Sequence, residues 1–186
     1  MIDRFMPVFH FEEHHEIRVR ASPEQVFQAI REVTPVEVRS LGNLMRIRTL
    51  PARLLGRSPQ RRTRSQPILD IATRSSFIYL ANEPPNEVVL GTAGQFWKVS
   101  GTSVRVASPE EFLALSEPSV ARAVMNFAVT DEGKGWSRVT TETRIAAPSP
   151  GARRRFAAYW RLIYPGSSII RYGWLRAIKR RAEAAR

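Results

Sequence analysis

All three histidines of the chain lie in the segment HFEEHHE, residues 10–16. Successive side chains of a strand point to opposite sides of the sheet. One side of this segment therefore carries His10, Glu12, His14 and Glu16. Alternating imidazole and carboxylate groups can bind a metal ion, but a row along a single strand is more typical of a solvated outer face. We therefore expect His10 and His14 to point outward, and we predict no metal site and no cofactor.

The other side of the same segment carries Glu13 and His15. An inward His15 could orient a ligand or act as a general base, although a histidine hydrogen-bonded near the strand end is the simpler interpretation. Thr141 and Thr143 share the inward side of a later strand and could donate hydrogen bonds to a ligand. Local hydrogen bonding would explain the two threonines equally well.

Several kinds of catalytic chemistry have no support in the sequence. The chain has no cysteine, which excludes disulfides, thiol nucleophiles and thiolate metal sites. It also lacks a G-x-S-x-G elbow, a Walker A loop and a dinucleotide fingerprint. We therefore predict no catalytic residue.

The chain is strongly basic, with a formal net charge of +12. Arginines are concentrated in a loop (Arg53, Arg57, Arg61, Arg62, Arg64), and the C-terminal region carries a basic tail (Arg171, Arg176, Lys179, Arg180, Arg181, Arg186). Such charge attracts nucleic acid and anionic membranes. The loop lacks the interleaved aromatic residues of single-strand binders, so we expect no specific nucleic acid. A solvated surface is the main interpretation, and a weak contact with anionic membranes is the next.

The elements that position these residues follow from periodicity. Alternation predicts a strand over residues 8–20, and Ser22–Pro23 with Gln25 opens a helix by a capping box. Thr34, Pro35 and Glu37 open a second helix, expected to fade before Pro51. Strands are predicted over about 76–83 and 87–99, with a short one near 103–107, and a short helix should begin after Ser108. Residues 119–146 form a clear hairpin with a turn at DEGKG.

The remaining residues have helical periodicity. Phe156, Ile163, Ile170 and Ala177 are spaced by seven residues, and the pattern continues through Pro165–Gly166. This predicts one kinked helix, with Ser167 or Ser168 recapping its second half. Its apolar stripe needs a long apolar surface, and the inward face of a bent antiparallel sheet is the candidate.

The order strand, helix, helix, antiparallel strands and long helix resembles the START-like (SRPBCC) superfamily, which includes polyketide-cyclase-like proteins and has the helix-grip fold. The resemblance is carried by HEIRVRASPEQVFQAI, GTAGQFW, EEFLALSEPSVARAVMNF, TTETRI and FAAYWRLIYPGSSIIRYGWLRAIKRRAE. It implies an α+β fold in which a curved antiparallel sheet of about five to seven strands wraps around the kinked C-terminal helix. Residues 1–186 would form a single domain.

The resemblance also implies a cavity between sheet and helix that holds a small apolar or amphipathic ligand, such as a lipid. The expected ligand contacts are Phe77, Tyr79, Phe96, Met125, Phe127, Thr141, Thr143, Tyr159 and Ile163, with His15 as a polar group. Two alternatives stay open: an enzyme of the cyclase or dehydratase type that uses the same cavity, and a binder of nucleic acid or anionic membranes through the arginines. The N-terminal segment has no signal-peptide pattern, so we expect a cytoplasmic protein.

Overall fold

The computed structural model describes residues 1–38, 65–98 and 102–185. The helices are α1 (Ile2–Phe5), α2 (Pro23–Glu32), α3 (Ile68–Ser75), α4 (Pro109–Ala114) and α5 (Pro150–Ala184). The strands are β1 (Phe11–Val19), β2 (Ile78–Glu83), β3 (Glu87–Gln95), β4 (Thr102–Val104), β5 (Ala121–Gly133) and β6 (Trp136–Ala146). The α+β class predicted from the sequence is confirmed.

These strands form one antiparallel sheet in the order β1-β6-β5-β3-β2, and β4 pairs with β3. The six strands agree with the predicted five to seven. The first strand pairs with the last, so Glu13 lies opposite Thr143 and His15 lies opposite Thr141. This pairing brings together inward side chains that are far apart in the sequence.

Both faces of the sheet are covered, at least in part. On one face, α2 and α5 pack over a core that includes Val88, Leu90, Phe127 and Val139. On the opposite face, the short helices α1 and α4 contribute Ile2, Phe5 and Phe112 to a smaller core with Val124. Helix α1 was not predicted, because four residues are too few to show a helical period.

Helix α5 is a single element that runs through Pro165–Gly166, as the unbroken apolar spacing predicted. It begins at Ser149, whose hydroxyl accepts a hydrogen bond from the Ala152 amide. Phe156, Trp174 and Ala177 are buried against the sheet side, whereas Ile163 and Ile170 are half-buried. The bend near the proline stays a prediction. Ser167 and Ser168 bond to a strand residue, described below, and the predicted recapping role is not what their hydroxyls perform here.

The predicted helix after Thr34 falls mostly outside the described residues. The part that is described, Thr34 to Val38, contains a turn in which the Glu37 carboxylate accepts hydrogen bonds from the amide and the hydroxyl of Thr34. Most of the arginine-rich loop lies outside the described residues as well. Within the described ranges, no helix is long and apolar enough to cross a membrane.

Candidate functional site: a polar cluster between the sheet and the C-terminal helix

Seven polar side chains meet where the middle of α5 lies over β1 and β6. We call them the polar cluster: Glu13, His15, Thr141, Thr143, Ser167, Ser168 and Arg171. The strand residues share one face because side chains alternate along a strand. The helix residues share one face because positions three and four apart are neighbours on a helix.

Glu13 is the anionic centre of this cluster, with only 3% of its surface exposed. Its Oε2 accepts a hydrogen bond from Ser167 Oγ at 2.6 Å, and its Oε1 accepts one from Ser168 Oγ at 2.8 Å. His15 Nε2 lies 2.9 Å from the same Oε1. An ionised carboxylate can only accept, so the proton of this bond sits on His15 Nε2. The ring of His15 also packs edge-on against Tyr172, with a centroid distance of 5.0 Å.

Arg171 is the cationic centre. Its Nη2 donates to Thr143 Oγ1 at 2.7 Å and its Nη1 to Thr141 Oγ1 at 3.4 Å, and its guanidinium lies 5.8 Å from the ring centre of Trp174. Burial lowers the pKa of Arg171 to about 10, although the Glu13 carboxylate acts in the opposite direction. Among the described residues, no carboxylate lies within 4.0 Å of this guanidinium. Arg171 is therefore a half-buried cation bonded to hydroxyl groups, without an ion-pair partner among the described residues.

The cluster is connected to the opposite face of the sheet through Thr141. The Thr141 hydroxyl donates to the backbone carbonyl of Asn126, and the Asn126 Oδ1 accepts from the Glu142 amide, both at 2.8 Å. These bonds lie between the backbone pairs Met125–Thr143 and Ala128–Thr140. Asn126 Nδ2 in turn donates to the Glu87 carboxylate on the far side. A hydrogen-bonded path thus fixes the position of Thr141 within the sheet.

An aromatic group lies beside the polar cluster, two residues earlier on β1. It consists of Phe11, Phe96, Phe156, Tyr159 and Trp160. Phe156 is its centre, with ring centroids 4.8 Å from Phe11, 5.8 Å from Tyr159 and 5.7 Å from Trp160. A site for an amphipathic molecule needs apolar walls next to a few fixed polar groups, and these two sets of residues supply both.

Helix α5 and strand β1 separate between the two sets. Phe11 contacts Phe156, and Glu13 contacts Ser167. From Phe11 to Glu13 the strand advances by about 7 Å, whereas from Phe156 to Ser167 the helix advances by about 16 Å. The helix axis therefore cannot be parallel to β1 over residues 157–166. Leu162, in the middle of this stretch, is 82% exposed.

Two surface clefts lie elsewhere. One, of about 280 Å³, is formed by α2 and the end of α5 and is lined by residues such as Gln28, Glu32 and Arg181. The other, of about 160 Å³, lies at the start of α5 beside Trp97 and Ser149. None of the predicted ligand residues lines either cleft. At the polar cluster the sheet–helix interface is closed by the hydrogen bonds from Ser167 and Ser168 to Glu13.

The structure distributes the predicted ligand residues over three places. Phe77, Tyr79, Met125 and Phe127 belong to the main core around Trp174, and Phe96 and Tyr159 belong to the aromatic group. Thr141, Thr143 and His15 meet in the polar cluster. Ile163 is half-buried on α5 between the last two places. Their role as ligand contacts stays a prediction.

Sequence reasoning missed part of the cluster. From the sequence, Glu13 has an inward side but no predicted role, Ser167 or Ser168 is a predicted cap, and Arg171 belongs to the basic tail. One signal was available. Ser167 stands in the seven-residue row Trp160, Ser167, Trp174, and Arg171 lies one turn beyond it, so both fall on the inward side of α5.

The histidines on the other side of β1 are exposed, as predicted. His10 Nδ1 accepts a hydrogen bond from the Ala147 amide, and burial, followed by the charge of Arg153, lowers the pKa of His10. Within the described residues, no three histidine or acidic side chains come close enough together to hold a metal ion.

An antiparallel sheet with the long C-terminal helix α5 packed across one face is the arrangement that the START-like resemblance implied. The chain has the helix-grip fold. No family model matches the sequence, and no curated protein matches it.

Several solved structures share part of this architecture. A conserved protein from Geobacillus kaustophilus is 10% identical, with 94% of this chain and 97% of that chain covered and a TM-score of 0.47. A hypothetical protein from Helicobacter pylori is 7% identical, with 97% and 93% covered and a TM-score of 0.44. The Zhui aromatase/cyclase from Streptomyces sp. R1128 is 11% identical, with 94% and 97% covered and a TM-score of 0.38.

Proposed function

We propose that this domain binds a small amphipathic molecule between the sheet and α5. The polar part of the molecule contacts the polar cluster, and its apolar part lies against the aromatic group. The observation that carries the proposal is a pair of opposite charges at the interface, the buried Glu13 and the half-buried Arg171, each of which is held by hydroxyl groups.

This pair of charges would destabilise an interface that had only a structural role. A buried charge is destabilising unless it is paired and fully hydrogen-bonded. Arg171 has five N–H donors, and its described hydrogen bonds go to only two threonine hydroxyls. The unused donors favour a ligand with an anionic or strongly accepting group, such as a carboxylate, sulfonate or enolate.

The closed arrangement means that a ligand must enter by moving α5 away from β1. The backbone of α5 is weakest close to the cluster, because Pro165 has no N–H and leaves the carbonyl one turn earlier without its helical partner. The residues that follow directly, Ser167 and Ser168, are those that close the interface on Glu13. Opening at this point would expose Glu13 and Arg171 together.

The experiment uses anilinonaphthalene sulfonate, a fluorescent probe with an aromatic body and one anionic group. We expect the wild-type protein to bind it and Arg171→Met to weaken binding by about tenfold, the effect of losing about 1.4 kcal/mol. Arg176→Met, an exposed arginine on the next turn, is the matched control and should bind as the wild type does. Native mass spectrometry of the purified protein would identify a co-purified ligand.

The probe could also adhere to exposed apolar residues of α5, and Leu162→Glu separates the two cases. Unchanged binding in Leu162→Glu with weakened binding in Arg171→Met supports the interface site. The reverse pattern would place the probe on the surface and refute the proposal.

A second candidate is catalysis in the same place. The observation that favours it is the Glu13–His15 hydrogen bond of 2.9 Å, since a carboxylate that orients an imidazole is a common acid–base arrangement. Cyclisation or dehydration of a bound polyketone would require such a group. Turnover that disappears in His15→Asn, while probe binding is retained, would favour this candidate over simple binding.

A further inference from the structure

The outward side of α5 carries an unusual concentration of exposed apolar side chains. Within the described residues, the exposed large apolar side chains are Val8, Val36, Leu113, Leu162, Tyr164, Ile169 and Tyr172. The last four lie within eleven residues of α5. Leu162 is 82% exposed and Ile169 is 54% exposed.

Most of these residues form one continuous surface with arginines at both ends. At 100° per residue, one third of the helix circumference includes ten exposed residues: Arg154, Arg155, Ala158, Arg161, Leu162, Pro165, Ile169, Tyr172, Arg176 and Arg180. The same third also contains the exposed Gly151 and the half-buried Gly173, Lys179 and Glu183. We call this surface the outer face of α5. Its apolar centre, residues 158–172, is about 21 Å long at 1.5 Å per residue.

The charge on this helix is almost entirely of one sign. From residue 150 to 185 the sequence has nine basic residues and a single acid, Glu183. Among the described residues, Arg154, Arg155 and Arg161 make no hydrogen bond or ion pair. Arg180 donates to the Glu37 carbonyl, and Arg176 lies over the Tyr172 ring. Most of the positive charge on the outer face is therefore free to contact an anionic surface.

We propose that the outer face of α5 docks on an anionic lipid bilayer. A helix with an apolar strip and a basic border lies in the membrane interface, with its apolar side chains at the boundary between headgroups and acyl chains. The flanking arginines contact anionic headgroups. The inference does not depend on the proposed ligand site.

Two other partners fit the outer face less well. A nucleic acid would set its phosphates against the apolar centre, where Leu162 and Ile169 would lose water without gaining a contact. A second copy of this chain would bring two strongly basic surfaces together, which is unfavourable at a net charge of +12 per chain.

The test is co-sedimentation with vesicles of phosphatidylcholine alone and of phosphatidylcholine mixed with phosphatidylserine. We expect the protein to bind the mixed vesicles, with affinity that falls as salt is raised, and not the neutral ones. The double variant Leu162→Glu, Ile169→Glu should lose at least about tenfold in affinity, which corresponds to about 1.4 kcal/mol. Leu113→Glu, an exposed leucine on α4, is the matched control and should bind as the wild type does.

Because the replaced side chains are exposed, the double variant should unfold at nearly the wild-type temperature, and thermal unfolding checks this directly. If it does not fold, Arg154→Gln with Arg155→Gln and Arg161→Gln provides a second test and should also weaken binding to the mixed vesicles. Equal binding of the folded double variant and the wild type would overturn the proposal. So would duplex DNA binding without vesicle binding, or a wild-type dimer in sedimentation that Leu162→Glu dissociates.

Discussion

Replacing Arg171 by methionine should leave the protein as stable as before or make it more stable, although the side chain is half-buried and hydrogen-bonded. The reason is the electrostatic environment of the guanidinium. The fall of its pKa from the ordinary arginine value to about 10 means that the site disfavours the charged form by about 3 kcal/mol at neutral pH, since each tenfold change in proton affinity is about 1.4 kcal/mol. Methionine retains most of the apolar stem and removes this penalty.

The hydrogen bonds to the two threonines oppose this gain. The bond to Thr143 is 2.7 Å long and the bond to Thr141 is 3.4 Å long, so only the first is strong, and its loss removes about 1–2 kcal/mol. Thr141 still donates to the Asn126 carbonyl in the variant. The net expectation is a stabilisation of about 1–2 kcal/mol, or an increase of a few degrees in Tm for a chain of this size.

Urea unfolding of the wild type, Arg171→Met and Arg176→Met at neutral pH measures this difference, and the exposed Arg176 control should stay within about 0.5 kcal/mol of the wild type. The sign of the pH dependence follows from the lowered pKa. Between about pH 10 and the ordinary pKa of arginine, the folded wild type binds fewer protons than the unfolded chain, so its stability rises with pH there. Below about pH 10, Arg171 is protonated in both the folded and the unfolded state, so its contribution to the free energy of unfolding does not change with pH. A loss of more than about 2 kcal/mol in Arg171→Met would show that the cluster is structural and would refute this reasoning.

Three further predictions follow from individual contacts. Ala123→Trp adds a large ring at the half-buried edge of the aromatic group. It should weaken probe binding and lower the free energy of unfolding by about 1–3 kcal/mol, so both quantities are measured. Unchanged binding in the folded variant would place the site elsewhere. Arg181→Met removes ion pairs to Glu32 and Glu37 and should lower the free energy of unfolding by about 0.5–1 kcal/mol at pH 7. Both carboxyl pKa values are lowered in the fold, so the difference between variant and wild type should shrink as the pH falls below their ordinary value of 4.5. A difference that does not change with pH would show that the ion pairs are not its cause. Gly91→Ala places a Cβ 2.7 Å from a leucine side chain of β2 and should lower the free energy of unfolding by about 1–3 kcal/mol, whereas an unchanged value would mean that the leucine yields freely.

The elements that could be predicted are those whose pattern is local. The β5–β6 hairpin has strict alternation on both strands, and the helices after Ser22, Ser108 and Ser149 each begin with a serine followed by proline. The caps are observed at all three positions. Strand ends were less accurate, since β1 begins at Phe11 and not at residue 8. Residues before Phe11 lie outside the strand, so the alternation of inward and outward side chains does not apply to them.

The polar cluster could not be predicted in the same way, because it depends on contacts between distant segments. Glu13 and Ser167 are 154 residues apart, and nothing in either segment specifies the register of α5 along β1. That register is set by the packing of the whole helix. Lys179 donates to the Arg18 carbonyl, and the Arg20 amide donates to Glu183. These contacts fix the C-terminal half of α5 along β1 and so bring Ser167 to Glu13.

The same anchoring explains why Pro165–Gly166 lies where it does. From Ser167 onward α5 runs along β1, from the Glu13 contact of Ser167 to the Arg18 contact of Lys179, and its inward side chains are held by the polar cluster and then by the main core. Before Pro165 the helix diverges from β1 and carries the exposed Leu162. The helix-breaking pair therefore marks the boundary between an anchored half and a half that rests mainly on the aromatic group. A membrane contact on the outer face would act on α5 across this boundary, next to the residues that close the proposed ligand site. The proposed ligand site and the proposed membrane contact thus lie on opposite sides of the same part of α5.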